Sequence, residues 1–407
     1  MRISTAQMTN AGVRELLLRQ AELQHTQLQL STQKRVLTPS DDPVAATSIN
    51  FLRTEIAQLE QFNRNGDVAN ASNVLEENVL TSSTDILFRL RSLMVEMGNG
   101  TYGEKELNAI AVEMRQRLDE LVGLANTKNA SGDYLFSGSK VKVQPFTRDA
   151  AGNYVYNGDQ NQRFLRVSSG VVVPVSDPGF DVYMNVKNGN GKFVTSSNPA
   201  NTGTGIISPG SYQAPPNFLA EPYTITFGVD INGDTTYTVT GDVSAAVITP
   251  PTLWQEGDEI TFNGITTEID GIPGTAPGDQ FHINPSSSQD LFTTIQNLLT
   301  AVENFDGRAA GRAQFINVLN TSQETMNRNM ENIDIVRGRI GSRLNAVDSE
   351  IDSNLALLVT SKTALSDVED LDMVEASTRF SRQLIVLEAA QQSFVRVRDL
   401  NLFNFLR

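Results

Sequence analysis

The sequence predicts an α+β protein: a long antiparallel helical rod, a coiled-coil-like bundle built from both termini, with an inserted β-rich domain. Apolar residues recur every three or four positions through both ends of the chain, the spacing of one helix face. From about residue 140 to 285 glycine, proline and threonine take over and the apolar period falls to two, the spacing of a half-buried strand. Helices on either side of strands mean that the two halves of the rod come from opposite ends of the sequence.

At the start, Val13, Leu16, Leu17, Leu23 and Leu30 draw a thin stripe along a first helix. Its remaining surface is rich in glutamine (Gln20, Gln24, Gln27, Gln29, Gln33). The segment Leu37-Thr-Pro-Ser-Asp-Asp-Pro-Val44 reads as a stop and a restart. Pro39 disfavours helix in Thr38, and Asp42 is placed to cap a new helix with Pro43 in its first turn. A second stripe begins at Ile49, Leu52, Ile56 and Leu59, weakens around Asn63–Asn70 with Gly66, and resumes from Leu75 to Met97, where Asn99-Gly100 ends it. A third helix runs through Leu107, Ile110, Met114, Leu118, Leu121 and Ala125.

Beyond Ser131-Gly-Asp-Tyr-Leu-Phe-Ser-Gly138 the composition changes. Tyr223, Ile225, Phe227, Val229 and Ile231 alternate with mostly polar residues up to Asn232-Gly233, and Tyr237 and Val239 continue the alternation, which predicts a hairpin. Asn263-Gly264 repeats the signal between Ile260–Phe262 and Ile265–Ile269. No lysine or arginine falls between Lys192 and Arg308, so this stretch carries one sign of charge. Helix returns near Ser288, and a long stripe follows from Met326 through Ile333, Ile340, Leu344, Val347, Ile351, Leu355 and Leu358. The expected segments are an assembly helix (1–40), rod (41–139), β-rich insert (140–285), rod (286–365) and a second assembly helix (366–407).

The last segment opens on Ser366-Asp-Val-Glu369, which fits a capping box. Acidic residues crowd its start and Arg396, Arg398 and Arg407 its end, the polarity a helix dipole favours. Its apolar stripe runs Phe380, Leu384, Leu387, Ala390, Phe394, Val397, Leu400, Phe403, with Leu406 beyond. Two readings compete for the two terminal stripes. They could form a hairpin with each other inside one chain. Such a hairpin buries about seven apolar side chains at ~2 kcal/mol each, against ~1–2 kcal/mol for each of some thirty ordered residues. Its marginality favours the second reading, helices that order fully when copies of the chain assemble. Uncharged glutamine suits a surface packed against copies of itself. The candidate self-assembly residues are therefore Val13, Leu16, Leu23, Leu30, Phe380, Leu384, Leu387, Phe394, Val397, Leu400, Phe403 and Leu406. For rod stripes such as Leu118 and Leu344 the expectation is ordinary intramolecular core.

Composition excludes several functions. A net charge of −15 argues against nucleic acid or an anionic membrane as the main partner. No apolar run approaches a membrane span, and the residues from Met1 to Met8 lack the apolar core of a secretory signal. The absence of cysteine rules out disulfides, thiol catalysis and thiolate metal sites. His25 and His282, the only histidines, give a metal pair or catalytic triad little to work with. Asp230-Ile-Asn-Gly-Asp234 starts like a calcium loop, but its twelfth position is Gly241, not glutamate, so a plain turn is expected. Gly189-Asn-Gly191 reads as a turn as well. No enzyme activity, metal or cofactor is expected.

Ser31-Thr-Gln-Lys-Arg-Val-Leu-Thr-Pro-Ser-Asp-Asp-Pro-Val-Ala-Ala46 resembles the N-terminal region of the bacterial flagellin superfamily. Its Thr-Pro-Ser-Asp-Asp-Pro form looks like the hook–filament junction branch, the FlgL-type hook-associated proteins. Tyr134-Leu-Phe-Ser-Gly138 is similar to the end of that family's N-terminal rod, and Gly271–Phe281 with Asn284-Pro-Ser-Ser-Ser resembles its return segment. Asp399-Leu-Asn-Leu-Phe-Asn-Phe-Leu406 is similar to its carboxyl terminus. The resemblance covers about 1–140 and 270–407 and does not extend to the insert. It implies a structural protein of the extracellular flagellum, passed through the flagellar type III export apparatus without a cleaved signal. It further implies a ring of copies between a FlgK-type junction protein and flagellin, and a cytoplasmic chaperone of the FlgN type. Two rivals remain: flagellin itself, which should polymerise without limit, and a secreted acidic β-domain binder or enzyme on a helical stalk.

Overall fold

The structure is a computed structural model that describes residues 5–150, 152–213 and 220–399. Its long helices are α1 (Thr5–Thr32), α2 (Pro43–Met97), α3 (Glu104–Ala125), α4 (Leu291–Glu303), α5 (Ala309–Glu369) and α6 (Met373–Asp399). The chain divides into two compact units, Met1–Arg64 with Glu350–Arg407 and Asn65–Ser349, the divisions falling within α2 and α5.

In the first unit, the early part of α2 runs antiparallel to the late part of α5. Glu60 pairs with Lys362 at 3.1 Å and Arg53 with Glu369 at 2.6 Å. Beside the Arg53–Glu369 pair lies a small apolar cluster in which Val36, Ala45 and Ile49 are buried against Leu365 and Val368. Asp42 caps α2 as the sequence predicts: its Oδ1 accepts from the Ala45 N–H at 3.0 Å. The predicted weak point around Gly66 does not interrupt α2, which is helical throughout.

The capping box expected at Ser366–Glu369 is a correction. Those residues end α5, and α6 begins only at Met373. The cap belongs to Asp372, whose Oδ1 accepts from the N–H groups of Val374 (2.9 Å) and Glu375 (3.1 Å). Two acceptors of the same kind lie six residues apart, and the local pattern cannot rank them. Tertiary contacts decide, because Glu369 faces Lys34 and Arg53 instead of reaching back to its own helix.

In the second unit α2 and α5 are again antiparallel: Asn70 donates to Asp348 (2.6 Å), and Arg337 pairs with Glu77 (2.8 Å). α2 and α3 are joined by a two-pronged Arg89–Glu113 pair at 2.7 and 2.9 Å. The helical core holds Leu87, Leu90, Met94, Leu118, Leu298 and Ile333. Phe136, Phe146, Tyr183 and Phe292 extend it as a ring cluster, with Phe146 and Tyr183 edge to face at 5.7 Å. Of the predicted rod stripe, Leu118 is fully buried and Leu344 lies against this core, whereas Leu355, in the first unit, is exposed.

The strands come in chain order. Two short hairpins are first, β1 (Phe146–Arg148) with β2 (Tyr154–Tyr156) and β3 (Phe164–Arg166) with β4 (Val172–Pro174). A π-helical turn, Phe180–Met184, follows them. Then come β5 (Val186–Lys187), β6 (Phe193–Ser197), β7 (Ile206–Ile207), β8 (Ser211–Tyr212), β9 (Tyr223–Val229), β10 (Thr235–Gly241) and β11 (Val247–Leu253). β12 (Glu259–Phe262), β13 (Ile265–Asp270), β14 (Gln280–Pro285) and β15 (Ser288–Gln289) complete the set. The larger sheet is ordered β11-β10-β9-β14-β6, and a second joins β12, β13, β7 and β8. Both predicted Asn-Gly hairpins form. Asp230 Oδ1 accepts from the N–H groups of Asn232 and Asp234, closing the β9–β10 turn. Asn263 and Gly264 take the positive φ values (41° and 76°) that a tight β12–β13 turn requires. Phe193, Tyr223, Phe227, Trp254, Ile260 and Phe281 fill the core of these sheets. The edge strand β11 carries Pro250 and Pro251, which lack the N–H needed to recruit another strand.

Candidate assembly surface

The sequence-predicted assembly residues lie on α1 and α6, and these helices pack along each other within one chain. Gly12 meets Phe394, while Gln29 Oε1 accepts from Arg379 at 3.3 Å, so the pair is antiparallel. The terminal helices thus pair with each other inside one chain, as the hairpin reading expects. Close approach is what the residue count missed: a β-carbon on Gly12 would lie 2.7 Å from the Phe394 ring, so glycine lets the helices come together there.

Leu16, Leu23, Leu30, Phe380, Leu387 and Phe394 are half-buried, whereas Val13 and Leu384 are exposed. Val397 belongs to helix α6; Leu400, Phe403 and Leu406 lie outside the described residues. Pairing uses one side of each helix. On α1, Leu17 (59% exposed) and Leu28 (56%) stand eleven residues apart, about three helical turns, and so share a face. Val374 (79%) and Ile385 (65%) repeat that spacing on α6. Not all the glutamines are free: Gln29 is buried, and its Nε2 donates to the Arg35 carbonyl at 2.6 Å.

The connections at the base of this pair are fastened to each other. Gln33, with φ of 57°, turns the chain out of α1, and its carbonyl accepts from the Leu371 N–H at 3.0 Å. The Arg35 N–H donates to the Glu369 carbonyl at 2.8 Å, and the Arg35 guanidinium donates to the Val368 carbonyl at 2.9 and 3.2 Å. Glu369, with only 7% of its side chain exposed, receives both Lys34 and Arg53. Desolvation raises its pKa, but the two cations outweigh that and hold the carboxyl below the ordinary glutamate range. Asp41 Oδ2 accepts from the N–H groups of Leu37 (3.0 Å) and Thr38 (2.8 Å), and its Oδ1 lies 3.2 Å from His25 Nε2. The Thr38 amide foremost keeps the Asp41 carboxyl below its usual range. Each acid of the Thr-Pro-Ser-Asp-Asp-Pro motif thus has a task, Asp41 closing the turn and Asp42 starting α2.

Among the described residues no cluster of histidine and carboxylate side chains fits a metal ion, and no helix is long and apolar enough to cross a membrane. The chemistry of this surface is apolar contact rimmed by amides.

Comparison with known proteins places this arrangement. Residues 3–141 match the bacterial flagellin N-terminal helical region and residues 324–406 the bacterial flagellin C-terminal helical region. The flagellar junction protein FlgL of Legionella pneumophila superposes with a TM-score of 0.72 at 32% identity, over 79% of this chain and 99% of that one. The chain belongs to the FlgL family. Xanthomonas campestris FlgL agrees, with 28% identity, a TM-score of 0.71, and coverage of 76% of this chain and 98% of that one. Flagellar hook-associated protein 3 of Escherichia coli is 32% identical over 173 residues, 42% of this chain and 54% of that protein. The chain spans about half the length of the curated relatives it matches. The flagellin-superfamily resemblance of the termini, its hook-associated form, and the α+β architecture all stand.

Proposed function

We propose that this chain is a structural adaptor of the bacterial flagellum, joining the hook side to the flagellin filament as a ring of copies. The observation that carries the reading is the one-sided pairing of α1 and α6, which leaves Leu17, Leu28, Val374 and Ile385 in solvent. Covering each such side chain is worth about 1.5–3 kcal/mol. Large apolar side chains left exposed along both helices of a pair suit a surface made for another chain. Family membership supports the junction role, since a close relative of known structure is named a flagellar junction protein.

On this reading a FlgK-type junction protein lies on one side of the ring and flagellin on the other. A FlgN-type chaperone covers the C-terminal helix before export through the flagellar type III apparatus. Val13, Leu16, Leu23, Leu30, Phe380, Leu384, Leu387 and Phe394 contribute in two ways, as the seam of the α1–α6 pair and, where exposed, as contacts to the next copy. Seeded polymerisation tests the assignment. The purified chain should add a single layer to a hook end capped by its junction protein and then accept flagellin. Long filaments of the chain alone would assign it to bulk filament instead, and no binding to either end would remove the adaptor reading.

A further inference from the structure

Within the second unit three ionisable side chains are removed from solvent together: Glu76 on α2, Asp177 between β4 and the π-helical turn, and Arg343 on α5, with side chains 0%, 1% and 9% exposed. They join three segments remote in sequence. One guanidinium serves two carboxylates, and it serves them unequally. Arg343 Nη2 donates to both Asp177 oxygens at 3.2 and 3.3 Å, and Nη1 donates to Asn73 Oδ1 at 2.7 Å. Gln162 Nε2 adds a bond to Asp177 Oδ1 at 2.6 Å. Glu76 receives less: its Oε1 accepts from the Asp177 N–H at 2.9 Å. Its Oε2 lies 4.0 Å from Arg343 and is buried without a hydrogen-bond partner.

The surrounding charges do not correct the imbalance. From the segment of Asp177 and the π-helical turn come Asp177 itself, Asp181 and the hydroxyl of Tyr183, which is within 3.3 Å of Ser83. From α5 come Arg343 and the exposed Arg339, while Arg337 is engaged by Glu77. Two full charges at Glu76 and Asp177 against a single buried guanidinium would leave one carboxylate uncompensated, which a dry site resists. A proton on Glu76 restores balance and leaves the bond from Asp177 intact. Burial, with the Asp177 charge as the second cause, pushes the Glu76 carboxyl up to about 8.

We propose that Glu76 is a proton-operated latch fastening the segment between β4 and the π-helical turn to α2 and α5, closed while its carboxyl holds a proton and loosened when the proton leaves. Opening exposes Glu76 to water, where it ionises readily, so opening releases one proton across the interval between its ordinary and its raised pKa. The opening equilibrium of this segment, read by hydrogen exchange of peptides spanning 173–183 in the full chain and corrected for intrinsic rate, should rise about tenfold per pH unit from about pH 5 to 8. In Glu76→Gln, which keeps the acceptor oxygen and cannot ionise, the same equilibrium should be flat. Equal slopes in the two proteins overturn the latch. A direct reading needs no variant: with glutamate carboxyls labelled with carbon-13, one resonance of the unmodified chain should titrate near 8. A spectrum in which every glutamate titrates in the ordinary range also overturns it.

Discussion

Gly12 of α1 lies against the Cδ2–Cε2 edge of the Phe394 ring on α6, so that a β-carbon added there would come within 2.7 Å of it. The helices α1 and α6 therefore meet there through a missing side chain. Gly12→Val should separate the helices locally, because the added branches need space that the ring occupies. Hydrogen exchange across residues 380–396 should speed up, while the second unit, which contains neither residue, keeps its protection. Unchanged exchange across α6 would show that the ring swings aside at no cost.

A second prediction concerns the fastening at the base of the pair. The Glu369 carboxyl titrates below its ordinary value, so its contribution to stability is fully present above the unfolded-state value of about 4.5 and is lost as pH falls through the folded one. Acid melting curves of the first unit should therefore show a loss in that window that is absent from Glu369→Gln. At neutral pH this substitution should cost about 1 kcal/mol, a charge-assisted bond less its replacement. The cost stays small because Lys34 and Arg53 are roughly half exposed and rehydrate. Thermal melts of the two proteins at pH 4 and pH 7 check both statements.

The parts of this fold that were legible in the sequence are those fixed by neighbours in the chain. Asp42 before Pro43 caps α2, and Asn263-Gly264 turns a hairpin, because the groups that satisfy them lie within a few residues. The start of α6 was misread for the complementary reason. Ser366 and Glu369 carry a helix-start pattern, yet Glu369 is claimed by Lys34 and Arg53, more than three hundred residues away. The Glu76–Asp177–Arg343 cluster was invisible for the same reason. In an acidic chain a carboxylate reads as solvated surface, and nothing local to Glu76 reveals Arg343. Gly12 carried a usable signal, a glycine inside an apolar helical stripe, which marks a close approach of another element.

The buried cluster yields a prediction for neutral pH, where Glu76 holds its proton. Arg343→Met removes the only cation in contact with Asp177 among the described residues and strands that carboxylate in the core. A loss of about 3–5 kcal/mol is expected from breaking a buried pair on one side. Adding Asp177→Asn should recover much of it, since the double variant buries no unpaired charge. Denaturant melts of the single and double variants decide the matter; an equally unstable double variant would mean that Arg343 acts through packing of its stem.

The assembly surface is tested by separating stability from association. Leu87 is fully buried in the second unit, and Leu87→Ala should cost about 2–5 kcal/mol. Leu17 is 59% exposed, so Leu17→Asp should change the melting of the isolated chain by no more than about 0.5 kcal/mol. In the assembly the same aspartate would sit against apolar side chains of the next copy without a partner, where desolvation makes a charge costly. Addition of the chain to a capped hook end should then fail for Leu17→Asp, although the protein is folded. Ile385→Asp, at an exposed position of α6, should behave alike, and the two together should do no further harm if both serve one contact. Normal addition by Leu17→Asp, with its melting unchanged, would place the contact on other residues and leave the leucines of α1 as mere surface.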